Sequence, residues 1–340
     1  MTAAPILKSW DQIKGNPGDW PAILIGNGAS MNVSSTFDYK SLFDRACRLG
    51  NKYQLDALDR ALFTEIGTVD FELVLAHLRQ TLLVAKVLGW DKNHTDQVES
   101  KYNRIHHALA AAVHSVHPQQ GIIGNTRLKQ IGLELLTYRW VFSTNYDLIV
   151  YWAAMSVDIN NFYDYMPGTP TRFRPENIAK APDDKTKLLF PHGALHLYVE
   201  TKGKYEGMVH KRVRFEDAGI LDQLHFVPQP PLVVAEGSAD DKRKVIYGHR
   251  YLTFAYEQMG KVREPLVILG SDLGPADAHI VQVLEPKGRR FAVSIRTSAK
   301  QNQKMARIRD LLSEADEVLF YSAETHPLGD PNLNVKSALG

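Results

Sequence analysis

The sequence contains a single cysteine, Cys47, among 340 residues. One thiol excludes an internal disulfide and any zinc site built from several cysteines, and it fits a reducing compartment. An excess of one charge is also missing, because 40 basic and 38 acidic residues leave a net charge of +2. We therefore expect no direct binding to nucleic acid or to an anionic membrane, and local basic clusters such as residues 241–244 should be solvated.

Long apolar runs are missing as well. No uninterrupted apolar segment approaches the length that spans a membrane, and the first residues lack the basic-then-apolar order of a secretory signal. The histidines have no partners at metal-ligand spacing, so we expect no bound metal. With 44% hydrophobic residues the chain is long enough to bury a substantial core. These features predict a cytoplasmic globular protein.

Short apolar runs at intervals predict a parallel sheet. Such near-continuous runs suit strands that are buried on both faces, and the segments between them look helical or irregular. The runs cover residues 22–25, 140–142, 188–190, 232–235, 266–269, 291–295 and 318–321. We predict an α/β fold in one domain, residues 1–340, with a Rossmann-like, doubly wound, mainly parallel sheet.

Three stretches depart from this alternation. In residues 37–136 apolar residues recur at helical spacing, as Phe71 and Leu75 do, and Asp70 is placed to cap a helix. We predict a large helical insertion there, after the first strand, which forms a lid or a partner surface. Residues 158–184 predict a long irregular connection, and residues 326–340 predict a loosely ordered tail.

A glycine-rich turn, Gly26-Asn27-Gly28-Ala29-Ser30, follows the first predicted strand. Small residues at a strand-to-helix turn let a ligand approach the backbone, and the next helix offers free N–H groups and a positive dipole end to a phosphate. Met31 stands where the dinucleotide fingerprint has its third glycine. A tight turn without a ligand is therefore the alternative.

Polar side chains follow two further predicted strands. Asn145 and Asp147 come soon after the run that ends at residue 142, and His192 follows the run that ends at residue 190. Parallel strands bring their carboxyl ends to one edge of the sheet, where α/β proteins bind ligands. Histidine is well suited to proton transfer near neutral pH. Each residue also has a structural alternative, namely a turn asparagine, a helix-capping aspartate and a buried edge histidine.

The order of these fragments resembles the SIR2 (sirtuin) superfamily. The resemblance is stronger to bacterial SIR2-like proteins, including a domain-of-unknown-function branch that carries an Asn-Tyr-Asp motif. The shared order is the glycine turn, Ser143-Thr144-Asn145-Tyr146-Asp147, Pro191-His192-Gly193 and Gly270-Ser271-Asp272-Leu273, within about residues 22–321.

The resemblance implies NAD as the substrate and a role for each matching residue. Asn145 would order the nicotinamide ribose and a reactive water, and His192 would be the base near the ribose hydroxyls. Asp147 would accept a hydrogen bond from the nicotinamide carboxamide. The glycine turn would hold the pyrophosphate, and Gly270 with Ser271 would contact the adenosine ribose. The residues expected to bind NAD are Gly26, Asn27, Gly28, Ala29, Ser30, Asp147, Gly270 and Ser271.

Departures from the superfamily pattern change the reaction that the resemblance implies. One cysteine cannot build the four-cysteine zinc module of the deacylases. The Gly-Ile-Pro-Asp-Phe-Arg stretch after the glycine turn is replaced by residues 31–36, and no segment after Gly193 is recognisable as the partner of an acyl-lysine peptide. The resemblance then implies an NAD hydrolase that releases nicotinamide and ADP-ribose, as in bacterial anti-phage defence by NAD depletion.

Two other functions stay open. One is a non-catalytic module that senses NAD or ADP-ribose, in which Asn145 and His192 only pack. The other is a deacylase or ADP-ribosyltransferase, which needs a peptide groove. The resemblance also implies a homo-oligomer and a defence-system partner such as a hexameric ATPase. Residues 236–238 are a further candidate for nucleotide contact. Asp277 and His279 resemble the Asp-x-His after the second glycine turn in SIR2-like proteins, and we expect them to cap and pack a helix, with a catalytic role as the alternative.

Overall fold

The computed structural model describes residues 6–168, 171–201, 206–212, 231–235 and 238–335. Strands in these ranges form one large sheet and one small sheet. In chain order they are β1 (Leu7–Lys8), β2 (Ala22–Ile25), β3 (Trp140–Ser143), β4 (Phe162–Tyr163), β5 (Thr186–Leu189), β6 (Gly193–Val199), β7 (Val209–Lys211), β8 (Pro231–Val233), β9 (Leu266–Leu269), β10 (Arg290–Ile295) and β11 (Glu317–Ser322).

Helices lie between the strands of the large sheet. In chain order they are α1 (Asn27–Val33), α2 (Tyr39–Ala46), α3 (Ala57–Ile66), α4 (Phe71–Leu88), α5 (Lys92–Val116), α6 (Gln120–Ile123), α7 (Asn125–Leu135), α8 (Ile149–Ser156), α9 (Ala239–Tyr247), α10 (Arg250–Lys261), α11 (Ala278–Leu284) and α12 (Gln301–Leu311). Within the described part of the chain, none of them is long and apolar enough to cross a membrane.

The large sheet has the strand order β1-β11-β10-β9-β2-β3-β5-β4, and every neighbouring pair is parallel. From β2 the chain builds one half of the sheet with β3, β4 and β5, and it then crosses back to build the other half with β9, β10 and β11. The topological switch point therefore lies between β2 and β9. Both strands are buried along their whole length, as strands covered on both faces must be. The predicted doubly wound α/β fold is confirmed.

The predicted helical insertion is present. Helices α2 to α7 fill residues 37–136, and no strand occurs in this interval, all of which the structure describes. Aspartate side chains cap the first turns of α2, α3, α4 and α5, because their oxygens accept hydrogen bonds from backbone N–H groups there. Gly67 and Gly89 end α3 and α4 with left-handed backbone, the usual use of glycine at this position. Local signals therefore account for the ends of these helices.

The small sheet corrects one strand prediction. The apolar run at residues 232–235 was expected in the parallel sheet, but β8 pairs antiparallel with β6, which pairs antiparallel with β7. Burial makes β8 apolar in either sheet, so its composition does not reveal its partner. The very short strands β1 and β4 gave no periodic signal, and β1 makes the run at residues 22–25 the second strand rather than the first.

Residues 326–335 are packed against the rest of the fold, so the predicted loose tail is wrong for these residues. Leu333 is fully buried, and the Val335 N–H donates to the Val33 carbonyl at 2.9 Å. His326 is buried as well, and its Nε2 hydrogen-bonds the Tyr138 hydroxyl at 2.9 Å. Short one-turn helices at Pro327–Gly329 and Pro331–Leu333 bring these side chains inward despite the proline and glycine content. Residues 336–340 lie outside the described part of the chain.

Candidate functional site

A cavity of about 520 Å³ lies at the carboxyl ends of β2 and β9. This is the switch point of the sheet, and the volume falls in the range of small-molecule sites. Loops after β2, β3, β5 and β9 form one side of the cavity. The helical insertion forms another side through Phe37, Tyr39, Leu42, Asp70, Phe71, Glu72, Leu109 and Val113. The insertion is therefore a wall of the site.

The two glycine turns at the switch point interlock. The Gly26 and Gly28 N–H groups donate to the carbonyls of Leu269 and Gly270, each at 2.8 Å. Gly270 has a φ of +72°, and a Cβ there would lie 2.5 Å from the Ala29 nitrogen. The Ala29 N–H donates to the Gly26 carbonyl at 3.0 Å. Glycine is thus required for the contact between the turns.

This contact corrects one part of the phosphate prediction. The N–H groups of Gly26, Gly28 and Ala29 already donate to protein carbonyls, so they are not the free donors that the sequence suggested. The three residues do line the cavity, together with Asn27. A ligand would therefore meet them through close backbone approach rather than through these N–H groups.

Ser30 lies behind the cavity wall and joins two of the predicted site residues. The Asn145 Nδ2 donates to Ser30 Oγ at 2.7 Å, and Ser30 Oγ donates to Asp147 Oδ2 at 2.5 Å. Asp147 Oδ1 accepts a hydrogen bond from the Ile149 N–H at 2.8 Å, which caps α8. Burial raises the pKa of Asp147. Ser30 is thus a positioning residue, and both carboxylate oxygens of Asp147 have a protein partner.

The Asn145 side chain leaves its carbonyl oxygen unused. Asn145 is 4% exposed and lines the cavity, and its Oδ1 has no hydrogen-bond partner among the described residues. Leaving a buried acceptor unpaired costs about 1–3 kcal/mol, so such a group calls for an explanation. A ligand hydroxyl or a water in the cavity would satisfy it.

His192 also lines the cavity, and it contacts a second buried histidine. The Nε2 atoms of His192 and His279 are 2.8 Å apart, and the two rings are nearly parallel. Burial, and secondarily the positive charge of Lys242, lowers the pKa of His192 well below its ordinary value. His192 is therefore neutral at pH 7. His279 was expected to pack rather than to take part in catalysis, and its contact with His192 is a finding of the structure.

Gly193 explains how His192 reaches the cavity. Its φ of +72° turns the chain sharply from the end of β5 into β6, and a Cβ at this position would lie 2.0 Å from the Leu232 carbonyl oxygen. The Val234 N–H then donates to the His192 carbonyl at 2.9 Å. The His-Gly pair is therefore a structural requirement of the turn as well as a source of an imidazole.

A buried ionic cluster that sequence reasoning missed forms the wall beside His192. Lys242 Nζ lies 2.8 Å from Glu72 Oε2 and 3.4 Å from Asp277 Oδ1, and the Tyr146 hydroxyl oxygen lies 3.2 Å from Glu72 Oε1. Lys242 is only 1% exposed, so the expected solvated basic segment is wrong at this residue. Burial raises the pKa of Glu72. The only sequence signal was the helix start at Asp70, which carries Glu72 in its first turn.

The adenosine end of the predicted site is partly polar. Gly270 and Ser271 line the cavity as expected, and Ser271 Oγ accepts a hydrogen bond from the Leu273 N–H at 3.2 Å. Lys304 Nζ lies 2.9 Å from Asp272 Oδ1 at this end. Of the further candidate segment, residues 236–237 lie outside the described ranges, and Ser238 caps α9. No group of three or more His, Cys, Asp or Glu residues in the described ranges could hold a metal ion.

His117, which follows α5 within the insertion, holds the loop that carries Asn145 and Asp147. Its Nε2 accepts a hydrogen bond from the Leu148 N–H at 2.8 Å, so its Nδ1 carries the proton and donates to the Pro118 carbonyl at 2.8 Å. Burial lowers the pKa of His117 to about 4. The neutral ring is therefore the form that supports the site.

The His117 contacts predict a loss of stability in acid. The folded state disfavours protonation of His117 relative to an unfolded pKa of about 6.5, so its contribution is present above that pH and is lost as the pH falls towards 4. Between about pH 7.5 and 5.5 we expect His117 alone to lower the free energy of unfolding by roughly 1 kcal/mol. Urea titrations at both pH values would measure this loss. The amide of the His117→Gln variant does not titrate, so its free energy of unfolding should fall by roughly 1 kcal/mol less than that of the wild type over the same pH range. An equal fall in both proteins would contradict the prediction.

These features define a Rossmann-like α/β protein with a ligand-sized cavity at its switch point. The chain belongs to the family described as Domain of unknown function (DUF4917), whose model matches residues 23–328. None of the curated proteins matches the chain. The family description names no activity, so the function has to be argued from the site.

Proposed function

We propose that this protein binds NAD in the switch-point cavity and hydrolyses its nicotinamide–ribose bond, giving nicotinamide and ADP-ribose. The observation that carries the proposal is the buried Oδ1 of Asn145, which no described residue hydrogen-bonds, on a wall that also holds the neutral imidazole of His192. The motif order that resembles SIR2-like proteins points to the same residues. The proposal therefore rests on a resemblance and on an independent geometric feature.

The chemistry needs few groups. When the C1′–N bond breaks, its electron pair goes to the nicotinamide nitrogen, and the ribose carbon develops oxocarbenium character, as in glycoside hydrolysis. A water oxygen then bonds to C1′, and the water loses a proton. Asn145 Oδ1 would accept a hydrogen bond from that water or from a ribose hydroxyl, and His192 would accept the proton. Because nicotinamide leaves as a neutral molecule, no general acid is required.

The insertion would keep bulk water away from the reacting centre. Phe37, Phe71 and Leu109 place apolar surface on the cavity wall opposite the sheet edge. Excluding solvent strengthens the electrostatic interactions inside a site and limits side reactions. The insertion is therefore part of the proposed site and also the surface on which an oligomer or a partner would act.

The test is nicotinamide release from NAD by the purified full chain, followed by chromatography. We expect release by the wild type and a fall of about 10²- to 10⁴-fold in His192→Ala, the range for a general base. His94→Ala is the matched control, because that ring is exposed near the start of α5 and should leave the rate unchanged. Equal rates in His192→Ala and the wild type would contradict the assignment of the base.

The same assay separates the alternatives. If NAD binds but survives for hours, with the chain alone and in its oligomeric or partner-bound form, hydrolysis is wrong and a sensing module is favoured. One structural feature fits a sensing module: both carboxylate oxygens of Asp147 already accept hydrogen bonds from the protein, as expected of a residue that only packs. Nicotinamide release that depends on an acylated peptide would favour a deacylase.

The biological setting that we propose comes from the resemblance alone. SIR2-like NAD hydrolases deplete NAD during phage infection, which requires a cytoplasmic location and restraint of the activity until it is needed. We propose the same setting here, with a homo-oligomer or a defence-system partner such as a hexameric ATPase as the switch. A fall in cellular NAD on infection of cells that carry the wild type, but not His192→Ala, would support it.

A further inference from the structure

We propose that His279 is a positioning residue for His192: it holds the His192 ring through Nε2 and leaves Nδ1 of His192 as the nitrogen that accepts a proton. The catalytic part of this inference rests on the proposed NAD hydrolysis. The tautomer of His192 does not depend on NAD hydrolysis, because it can be measured in the free protein.

The contact between the two rings constrains where the protons lie. A neutral imidazole carries one proton, and one of its nitrogens donates while the other accepts. The distance of 2.8 Å between the two Nε2 atoms requires a single proton between them. His192 and His279 are both almost fully buried beside the positive Lys242, which disfavours a charged ring. The resting pair is therefore neutral, with one donor and one acceptor.

One neighbour of His279, the Ala276 backbone, favours a proton on the Nδ1 atom of its ring. Burial lowers the pKa of His279 to about 2, and its contact with the Ala276 backbone opposes this, as a carbonyl near a ring N–H does. The Nδ1 atom of His279 is buried and has no hydrogen-bond partner among the described residues, so the Ala276 backbone is its neighbour without completing a hydrogen bond. A proton on Nδ1 of His279 leaves its Nε2 lone pair to accept from His192. His192 then carries its own proton on Nε2 and a lone pair on Nδ1.

His279 is itself held rigidly, as a positioning residue must be. It lies in the first turn of α11 and is 0% exposed. The Tyr256 hydroxyl donates to the His279 carbonyl at 2.7 Å, and the Tyr256 ring stacks on the His279 ring with centroids 5.9 Å apart. The His192 ring lies on it with a centroid distance of 5.0 Å. The two histidines are 87 positions apart in sequence, so only the fold brings them together.

The proposed step uses this arrangement. As the water oxygen bonds to C1′ and the C1′–N electron pair leaves with nicotinamide, the water proton moves to Nδ1 of His192. The His192 imidazolium that forms donates a hydrogen bond from its Nε2–H to Nε2 of His279. This hydrogen bond stabilises the positive charge as it develops. Without an acceptor at position 279 that N–H would be buried and unpaired. We therefore expect the chemical step, rather than NAD binding, to suffer.

The first experiment measures the tautomer in the free protein. The ¹⁵N shifts of histidine rings distinguish a protonated from an unprotonated nitrogen, and His192→Asn assigns the signal. We expect His192 to be protonated at Nε2 and unprotonated at Nδ1 near pH 7. Protonation at Nδ1 would overturn the proposal. This readout needs no NAD turnover, so it stays decisive even if nicotinamide release fails in every form of the protein.

The second experiment compares two substitutions at position 279. His279→Leu removes the acceptor, and we expect kcat to fall about 10- to 100-fold while KM stays within about twofold. This is the usual cost of removing a group that orients a functional histidine through its second ring nitrogen. The acid limb of the kcat profile should move to lower pH, because the His192 imidazolium loses its stabilising partner. His279→Gln offers a carbonyl oxygen to the same N–H and should restore most of the rate.

Controls separate positioning from structure. Both variants should melt within a few degrees of each other, and both should bind NAD. Equal losses in the Leu and Gln variants, or a loss that appears in KM, would indicate packing only and would overturn the proposal. Should the wild type release no nicotinamide, the proposed hydrolysis fails, whereas the NMR result still decides whether His192 carries its proton on Nε2.

Discussion

Asn145→Ala is expected to lower nicotinamide release by about 10²- to 10³-fold, the usual cost of removing one preorganised hydrogen-bonding group at a reacting centre. The reason is Oδ1, which belongs to a buried side chain of the cavity wall and has no hydrogen-bond partner in the part of the chain that the structure describes. The substitution also removes the hydrogen bond from Nδ2 to Ser30. That loss should cost about 1 kcal/mol of stability, because Ser30 keeps its bond to Asp147.

The measurement compares kcat and the free energy of unfolding for the same preparations. Asn160→Ala is the matched control, because Asn160 is exposed in the short turn after α8 and lies outside the cavity lining. It should leave the rate and the stability unchanged. If Asn145→Ala keeps the wild-type rate, the unpaired oxygen has another explanation and the proposed site is wrong.

Gly270→Ala should cause a large loss of stability, because the added methyl group has no room between the two glycine turns. A Cβ there meets the Ala29 nitrogen at 2.5 Å and the Gly26 carbonyl at 2.9 Å, and the backbone has a φ of +72°. Left-handed backbone in a non-glycine residue costs about 1–3 kcal/mol, and overpacking adds about as much again. The two turns must separate to accept the methyl group, so NAD affinity should fall together with stability.

A neighbouring glycine provides the control for this prediction. Gly274 lines the same cavity, but a Cβ at that position meets only Asp272 Oδ2, at 3.7 Å. Gly274→Ala should therefore change the free energy of unfolding by less than about 0.5 kcal/mol. Urea unfolding and NAD titration of both variants would check the contrast. If Gly270→Ala and Gly274→Ala lower stability and NAD affinity equally, the interlocked turns do not require glycine at position 270.

Most of the sheet was predictable, because a strand buried on both faces leaves a local mark. The runs that became β2 and β9 are apolar throughout, and polar or glycine residues follow each of them directly. Because parallel strands end at one edge of the sheet, the sequence also predicted that Asn145, Asp147 and His192 lie close together. The structure lines the cavity with all three. The prediction that residues 232–235 belong to the parallel sheet was wrong, because apolar composition indicates that a strand is buried and does not indicate its pairing partner.

The rest of the site could not be predicted, because contact across the fold leaves no local mark. Lys242 looked solvated in its charged segment, and it is buried only because α9 brings it against Glu72 of the insertion and Asp277 after β9. His279 looked like a packing residue until its ring met His192. Periodicity reports which face of an element is buried, but the partner on that face depends on distant packing.

The glycine turns show the same division within one motif. Their sequence was sufficient to predict a tight turn at the sheet edge, since backbone freedom is a property of each glycine alone. Whether the N–H groups of Gly26 and Gly28 are free for a phosphate depended on a second turn more than 240 positions away, whose carbonyls accept them. Local chemistry thus specified the strands, the turns and the residue types at the sheet edge. Long-range packing specified which of their polar atoms a ligand can still reach, because each hydrogen-bonding group can serve either the fold or the ligand.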